Sequence, residues 1–103
     1  MNERRRLLLH QKFLSINRVK AAYFNPTNNV KMVYPCIRYS LVGEAVRFAA
    51  NGRYITRDRY LVTVVDPDPD SQIYKELEKN PYYSFERMYS ADGLCHFTGS
   101  IYF

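Results

Sequence analysis

Arg57-Asp-Arg-Tyr-Leu-Val-Thr-Val-Val-Asp-Pro-Asp-Pro-Asp-Ser-Gln-Ile-Tyr-Lys-Glu-Leu-Glu-Lys-Asn-Pro81 is the stretch that decides the fold of this chain. The residues from Arg59 to Val65 are mostly β-branched or aromatic, which is typical of a strand. Pro67 and Pro69 have no N–H to donate to a sheet ladder, so the strand should end before them.

The acidic segment after this strand predicts a short helix over about residues 69–79. Asp68 is a suitable N-cap, and Pro69 fits the first helical position, where its missing N–H costs nothing. Ile73 and Leu77 lie four residues apart and therefore share one helix face. The stretch thus predicts a strand, a stiff acidic turn and a helix that packs back on a sheet.

Length and composition are those of one globular domain. A chain of 103 residues forms a single modest core. Hydrophobic residues make up 47% and charged residues 24%, a balance that argues against a disordered chain. Ten residues are tyrosines, whose apolar rings and polar tips suit half-buried sites and subunit contacts. Burial of these rings within a monomer is an equally good interpretation.

The charge is divided unevenly along the chain. Residues 1–59 carry 12 Lys and Arg against 3 Asp and Glu, a net of +9, whereas residues 60–103 carry 3 against 7, a net of −4. Two halves of opposite net charge favour assembly of copies of the chain head to tail or side by side. The competing interpretation is that folding interleaves the halves into a patchwork of solvated faces.

The cysteines and the apolar runs indicate the cellular compartment in which the chain folds. Cys36 and Cys95 form no CxxC pair and have no histidine at zinc-ligand spacing, so we expect buried free thiols. The apolar run after the N-terminal arginines ends at His10, which is too short for a secretory signal. No segment approaches the roughly 20 apolar residues of a membrane span. These features predict folding in a reducing cytoplasm.

An amphipathic helix is predicted over residues 3–16, where leucine and aromatic residues recur at spacings of three and four. Arg4, Arg5 and Arg6 lie in its first turn, where their charge opposes the helix dipole. An external acidic partner and plain solvation explain this cluster equally well.

Alternating and β-branched patterns predict several further strands. They cover residues 17–24, residues 30–41 with a break at Pro35, residues 82–89 and residues 96–103. Turns are predicted at Gly43-Glu44, Asn51-Gly52 and Ala91-Asp92-Gly93. Residues 45–50 are ambiguous between a strand edge and a turn of helix.

Parity places Tyr83, Phe85, Arg87 and Tyr89 on one face of their strand. The predicted fold class is α+β: a mainly antiparallel β-sheet sandwich in one domain, residues 1–103, packed with the N-terminal helix and the second short helix at about residues 69–79.

Asp66, Asp68 and Asp70 alternate as the oxygen ligands of a calcium loop do. The rest of that motif is missing, because Ser71 stands at the glycine position and Leu77 at the position of the final glutamate. Helix capping and turn formation therefore explain the aspartates, and no metal site is predicted.

The sequence predicts no enzyme and no cofactor. His10 and His96 have no sequence context for an acid–base pair, and Cys95 and His96, as neighbours in a strand, point to opposite faces. No glycine-rich phosphate loop is present. We therefore expect no catalytic, metal-binding or cofactor-binding residues.

A small basic nucleic-acid-binding module is the alternative function. The first twenty residues hold six positive charges, and Arg53, Arg57 and Arg59 flank Tyr54 and Tyr60. Basic residues interleaved with aromatic ones can follow a phosphate backbone. No named nucleic-acid-binding motif accompanies them.

Two long runs resemble a known class of phage protein. They are Arg59-Tyr-Leu-Val-Thr-Val-Val-Asp-Pro-Asp-Pro-Asp-Ser-Gln-Ile73 and Asn80-Pro-Tyr-Tyr-Ser-Phe-Glu-Arg-Met-Tyr-Ser-Ala-Asp-Gly-Leu-Cys-His-Phe97. Tyr23-Phe24-Asn-Pro, Tyr34-Pro35-Cys36-Ile37 and Ala50-Asn51-Gly52-Arg53-Tyr54 precede them in the same order. Together they are similar to the tail-completion proteins of long-tailed bacteriophages, the tail-terminator or tail-to-head joining proteins of the neck. The resemblance covers most of the chain after residue 20.

The resemblance implies a structural virion protein that acts without catalysis. Such proteins form an α/β sandwich that assembles as a ring, usually a hexamer, which caps the tail tube and meets the head-tail connector or adaptor. The implied partners are further copies of the chain, the tail tube protein and the connector, with no membrane. Contact with DNA in the channel is left open.

In a closed ring, each interface joins one patch to a different patch on the neighbour. We expect the basic N-terminal half and the acidic turn to supply such patches. The candidate interface residues are Arg4, Arg5, Arg6, Arg57, Arg59, Asp66, Asp68 and Asp70. The pairs to test first are Arg57 and Arg59 against the three aspartates.

Overall fold

The computed structural model describes residues 3–26, 31–50 and 53–103, with side chains described for residues 5–26, 31–43 and 58–103. The chain forms two helices and five strands. In chain order they are α1 (Glu3–Leu14), β1 (Ala21–Phe24), β2 (Cys36–Ala50), β3 (Arg53–Asp66), α2 (Ile73–Leu77), β4 (Tyr83–Ala91) and β5 (Leu94–Tyr102).

The strands make one five-stranded sheet in the order β1-β2-β3-β5-β4. The pairings of β2 with β3, β3 with β5 and β4 with β5 are antiparallel, and β1 pairs with β2 in parallel. The sheet is therefore mixed. The α+β class is confirmed, but the described strands form a single sheet with helices packed on it, and no second sheet completes a sandwich.

The core lies between the helices and one face of the sheet, the helix face. Strand alternation places Ile37 and Tyr39 of β2 on this face, beside the even-numbered residues of β3. Both helices contribute to it, because Leu9 and Phe13 of α1 and Ile73 and Leu77 of α2 are buried in the same cluster. The buried core residues are Leu9, Phe13, Ile37, Tyr39, Tyr60, Val62, Val64, Ile73, Leu77, Tyr83, Phe97 and Ile101.

The stretch from Arg57 to Pro81 folds as a strand, a turn and a helix, but the helix is shorter than predicted. It begins at Ile73, and the residue before it, Gln72, makes no side-chain capping bond. Asp68 is not the N-cap. The backbone N–H of Asp68 donates to Oδ1 of Asp66, and that of Asp70 donates to Oδ1 of Asp68, both at 2.9 Å. Each aspartate closes a local turn, which competes with helix formation.

The turn predicted at Gly43-Glu44 is wrong, because β2 runs through both residues. The register of β2 against β3 shifts on either side of Gly43, as it does at a β-bulge. A Cβ at Gly43 would lie 3.2 Å from the Cβ of Arg59. The glycine therefore permits a close approach of two strands, and it does not mark a reversal of the chain.

Beyond this point β2 and β3 pair only with each other among the described strands. The pairing of β3 with β5 ends at Arg59 and Tyr102, whereas the pairing with β2 continues to Ala50 and Arg53. A two-stranded arm thus extends from the sheet. The turn predicted at Asn51-Gly52 lies outside the described residues.

The other hairpin is described in full. Ala91 pairs with Leu94, and the two residues between them, Asp92 and Gly93, have φ of 54° and 73°. Two consecutive positive φ values belong to the type I′ turn, whose twist matches that of the flanking strands. The turn predicted at Ala91-Asp92-Gly93 is confirmed.

The predicted common face of Tyr83, Phe85, Arg87 and Tyr89 is wrong. The register of β4 against β5 shifts between Phe85 and Arg87, so the extra residue, Glu86, forms a bulge and inverts the alternation. Phe85 lies on the helix face, where its ring contacts Tyr74 at 5.1 Å between centroids. Arg87 and Tyr89 lie on the opposite face.

Candidate subunit interface

The face opposite the helices, the open face, has no described helix packed on it. Because Ile37 and Tyr39 point to the helices, Arg38 and Ser40 between them point away. The register continues this row across the sheet, from Arg38 to Thr63, Thr98 and Arg87. The open face is therefore polar and basic at its centre.

Of the predicted basic residues, Arg5 and Arg6 bind aromatic rings of their own chain. The guanidinium of Arg5 lies 4.7 Å from the ring centre of Phe103, and its Nε donates to the Phe103 carbonyl oxygen at 3.4 Å. The guanidinium of Arg6 lies 4.4 Å from the ring centre of Phe24. Cation–π contacts of this kind fasten α1 to the sheet. Arg4 lies in α1, but its side chain is outside the described residues.

Arg59 has an acidic neighbour within the chain. Its Nη2 lies 3.7 Å from Oε2 of Glu86, and both side chains are about two-fifths exposed, at 40% and 43%. An exposed pair at this distance contributes roughly 0–1 kcal/mol, so Arg59 can exchange Glu86 for another acidic partner at little cost. Arg57 lies in the arm, and its side chain is outside the described residues.

The three aspartates differ in what they offer a partner. Asp66 is only 6% exposed, and its carboxylate is engaged in the turn, so it has a structural role. Asp68 is exposed and also accepts a turn hydrogen bond. Asp70 is exposed, and its carboxylate bonds to none of the described residues. Asp70 is the best placed of the three for an external contact.

The candidates Arg57 and Arg59 lie within β3, whereas Asp66 ends this strand and Asp68 and Asp70 follow it. Asp66 comes seven positions after Arg59, which corresponds to roughly 23 Å at about 3.3 Å per residue. One copy therefore cannot bring these charges together. Two copies placed head to tail can, which is the geometry of a heterologous interface.

The strand predicted over residues 82–89 is present as β4, but its position at the edge of the sheet was not predicted. It is an edge strand, and no described strand pairs with its outer side. Large apolar side chains on or beside it are well exposed: Tyr82 39%, Phe85 38%, Met88 48% and Tyr89 39%. Its aromatic content was visible in the sequence, but its edge position was not, because strand order depends on the tertiary fold.

The histidines and cysteines of the described residues are packed. Tyr39 and His10 share a hydrogen bond through the hydroxyl and Nδ1, and burial, with Arg6 nearby, lowers the pKa of His10. The ring of His96 stacks on that of Tyr89 at 4.7 Å. Cys36 and Cys95 are both free thiols, and burial raises the pKa of Cys36 to about 11. Cys36 is buried as predicted, whereas Cys95 is half-buried.

Two further observations concern ions and membranes. Within the described ranges, no three His, Cys, Asp or Glu side chains gather where they could hold a metal ion. Neither described helix is long and apolar enough to cross a bilayer.

Comparison with known proteins adds no family. No protein-family model matches the chain, and no curated protein sequence matches it.

Proposed function

We propose that the protein is a non-enzymatic virion component of a bacteriophage neck. Copies of the chain assemble into a ring, by expectation a hexamer, that caps the tail tube and joins the tail to the head connector. The support for the phage assignment is the resemblance of residues 59–73 and 80–97, together with the shorter runs before them, to tail-completion proteins.

The exposed β4 edge is the observation that carries the assembly part of the proposal. An edge strand presents unpaired N–H and C=O groups, and large apolar side chains beside it favour association. The bulge at Glu86 and the charge of Arg87 interrupt this edge, which limits indiscriminate pairing with other strands. An exposed apolar edge with these interruptions favours association with one specific neighbouring copy.

The two-stranded arm supports the same conclusion. A hairpin that pairs with nothing else is marginally stable in water. The arm extends beyond the five-stranded part of the sheet, and the molecule is correspondingly elongated, at 48 × 27 × 22 Å. Packing of the arm on a neighbouring copy would stabilise it.

Particles made without the protein provide the decisive experiment. We expect electron microscopy of such particles to show tails of abnormal length or tails detached from heads. Restoring the protein in trans should restore joined particles of normal tail length. Normal joined particles in its absence would overturn the proposal.

The nucleic-acid-binding alternative has one specific observation in its favour. The guanidinium of Arg87 lies 5.1 Å from the ring centre of Tyr89, on the same open face as Arg38. A cation beside an aromatic ring suits a nucleic-acid strand. This alternative predicts that the isolated monomer binds DNA tightly, with an affinity that falls steeply with salt; the ring proposal predicts closed rings in negative-stain images.

A further inference from the structure

A cleft on the open face contains the cation of Arg38, which has no partner in the part of the chain that the structure describes. Among the described residues, Arg38, Ser40, Leu61 and Thr63 lie along its sheet side, and Asn25, Pro26 and Tyr89 also line it. Its volume is about 390 Å³. The cleft contains no residue of the acidic turn, and it borders β4 through Tyr89.

Arg38 is the unusual residue of this cleft. The residue is half-buried, its Nε is enclosed by protein and donates to no acceptor among the described residues, and no ion pair joins Arg38 to any of them. A buried donor without an acceptor destabilises a fold, and more strongly when the group is charged. The Arg38 guanidinium is therefore available to bind an anion.

The other groups in the cleft suit an oxyanion. The amide of Asn25 and the hydroxyls of Ser40 and Thr63 are donors, and none of the described lining residues is acidic. Guanidinium groups bind carboxylates through paired, charge-assisted hydrogen bonds. The chemistry of the cleft therefore selects a carboxylate or a similar anion.

The chain supplies a matching carboxylate on a different surface. Asp70 is exposed and unpaired within the described residues, in a turn braced by the bond from its own N–H to Asp68. This turn leads into α2, whose Ile73 packs in the core on the helix face. Arg38 points to the open face, and no ion pair joins it to Asp70 within one copy.

We propose that the Arg38 cleft is a carboxylate-binding site that receives the Asp68–Asp70 turn of a second copy. Asp70 forms the ion pair with the Arg38 guanidinium, and the hydroxyls of the cleft donate to its remaining oxygen lone pairs. The contact is heterologous, because it joins the open face of one copy to the β3–α2 turn of the next. This inference rests on the proposed ring and names one of its contacts.

Self-association of the full-length protein tests the pairing. Sedimentation velocity in low salt should show association of the wild-type chain. We expect both Arg38→Gln and Asp70→Asn to weaken that association at least tenfold, because each leaves a desolvated partner unpaired. We expect Arg38→Glu combined with Asp70→Arg to recover most of the affinity that either reversal alone removes.

Matched variants on α2 control for the change in net charge. Lys75→Gln and Glu78→Gln remove exposed charges of the same signs from the helix side of the molecule, and association should not change. The thermal unfolding midpoint of every variant checks that the fold is retained. If Arg38→Glu does not fold, the test uses Arg38→Gln and Arg38→Lys instead. Arg38→Lys keeps the positive charge but loses the planar fork of guanidinium donors.

Three results would overturn the inference. One is a wild-type chain that stays monomeric at the highest concentration and lowest salt that keep it in solution. Another is association that the Arg38 and Asp70 variants leave unchanged. The third is binding of a short DNA duplex or inorganic phosphate that Arg38→Gln abolishes while self-association persists, since that would assign the cleft to phosphate. Rings that form regardless of Arg38 and Asp70 would refute this contact and leave the proposed function standing.

Discussion

At the scale of single residues, the sequence does not predict the contact between Tyr83 and Gly99. They are close neighbours on paired strands, and a Cβ at Gly99 would lie 2.5 Å from the Tyr83 hydroxyl and 2.6 Å from the Ser84 carbonyl oxygen. Only glycine fits there. The Tyr83 hydroxyl is itself buried without a hydrogen-bond partner, and burial, followed by the nearby Glu78 and Glu86 charges, raises its pKa to about 12.

We expect Tyr83→Phe to leave stability unchanged or to raise it by up to about 1 kcal/mol at pH 7, because the variant removes an unsatisfied buried hydroxyl. The folded-state pKa lies above the unfolded value of about 10, so the folded protein favours the protonated phenol. The contribution of the Tyr83 phenol to the free energy of unfolding is therefore fully present below pH 10 and is lost as the pH rises towards 12. The advantage of Tyr83→Phe over wild type should therefore grow by about 1 kcal/mol between pH 9 and pH 11.

Urea unfolding at pH 7, 9 and 11 measures this difference. Tyr89→Phe, at an exposed position on the same strand, is the matched control and should show a smaller change with pH. A Tyr83→Phe variant that is destabilised by more than about 1 kcal/mol at pH 7 would contradict the assignment of an unsatisfied hydroxyl.

At the scale of elements, the turn between β3 and α2 combines a structural and an external role. Asp66 and Asp68 hold the turn through their hydrogen bonds, and the buried Ser71 hydroxyl accepts from the N–H of Ile73 at 3.3 Å. Asp70 contributes its backbone to the turn, and its carboxylate bonds to none of the described residues. The alternating aspartates therefore form a hydrogen-bonded turn that leaves the Asp70 carboxylate available for an external contact.

Substitutions at Asp66 and Asp70 should separate the two roles. We expect Asp66→Ala to reduce the free energy of unfolding by about 1 kcal/mol or more, because it removes the buried acceptor for the Asp68 N–H. Asp70→Ala should change stability by less than about 0.5 kcal/mol while weakening self-association. Chemical denaturation and sedimentation velocity on the same samples make the comparison. Equal destabilisation by both variants would contradict this division.

At the scale of the whole molecule, the fold leaves several surfaces incomplete. One side of the sheet is covered by α1 and α2, and the other side carries the Arg38 cleft with no described helix over it. The β4 edge and the two-stranded arm are likewise without described partners. In the proposed ring, these surfaces would be covered by neighbouring copies of the chain.

A charge placed on the β4 edge tests this view. We expect Met88→Lys to weaken self-association at least tenfold, because lysine on an edge strand opposes pairing with another chain. Its stability should remain within about 0.5 kcal/mol of wild type, since Met88 is 48% exposed. Leu14→Lys, at a side chain 44% exposed on α1, is the matched control and should associate normally. Unaltered association of Met88→Lys, measured by sedimentation velocity, would exclude β4 from the interface.

Local sequence signals predicted the elements well wherever neighbouring residues alone decide them. The helix at the N-terminus, the strand through residues 59–65, the packing of Ile73 and Leu77 and the Asp92-Gly93 turn all follow from periodicity and turn chemistry. The failures have two causes. Asp68 closes a local turn and does not cap a helix, because one local option competes with another. Gly43 accommodates Arg59 in a bulge and does not reverse the chain, because a residue distant in the sequence decides its role.

For the candidate site, the sequence by itself determined the charges, the unlike halves of the chain and the exposed acidic turn, because these are properties of composition and local order. Only the tertiary structure decided which of them are available. It buried Asp66, gave Arg59 a neighbour in Glu86, placed Arg5 and Arg6 on aromatic rings and made β4 an edge. It also pointed Arg38 to the face opposite α2, since strand order and register, unlike charge and periodicity, are fixed by contacts between residues far apart in the chain.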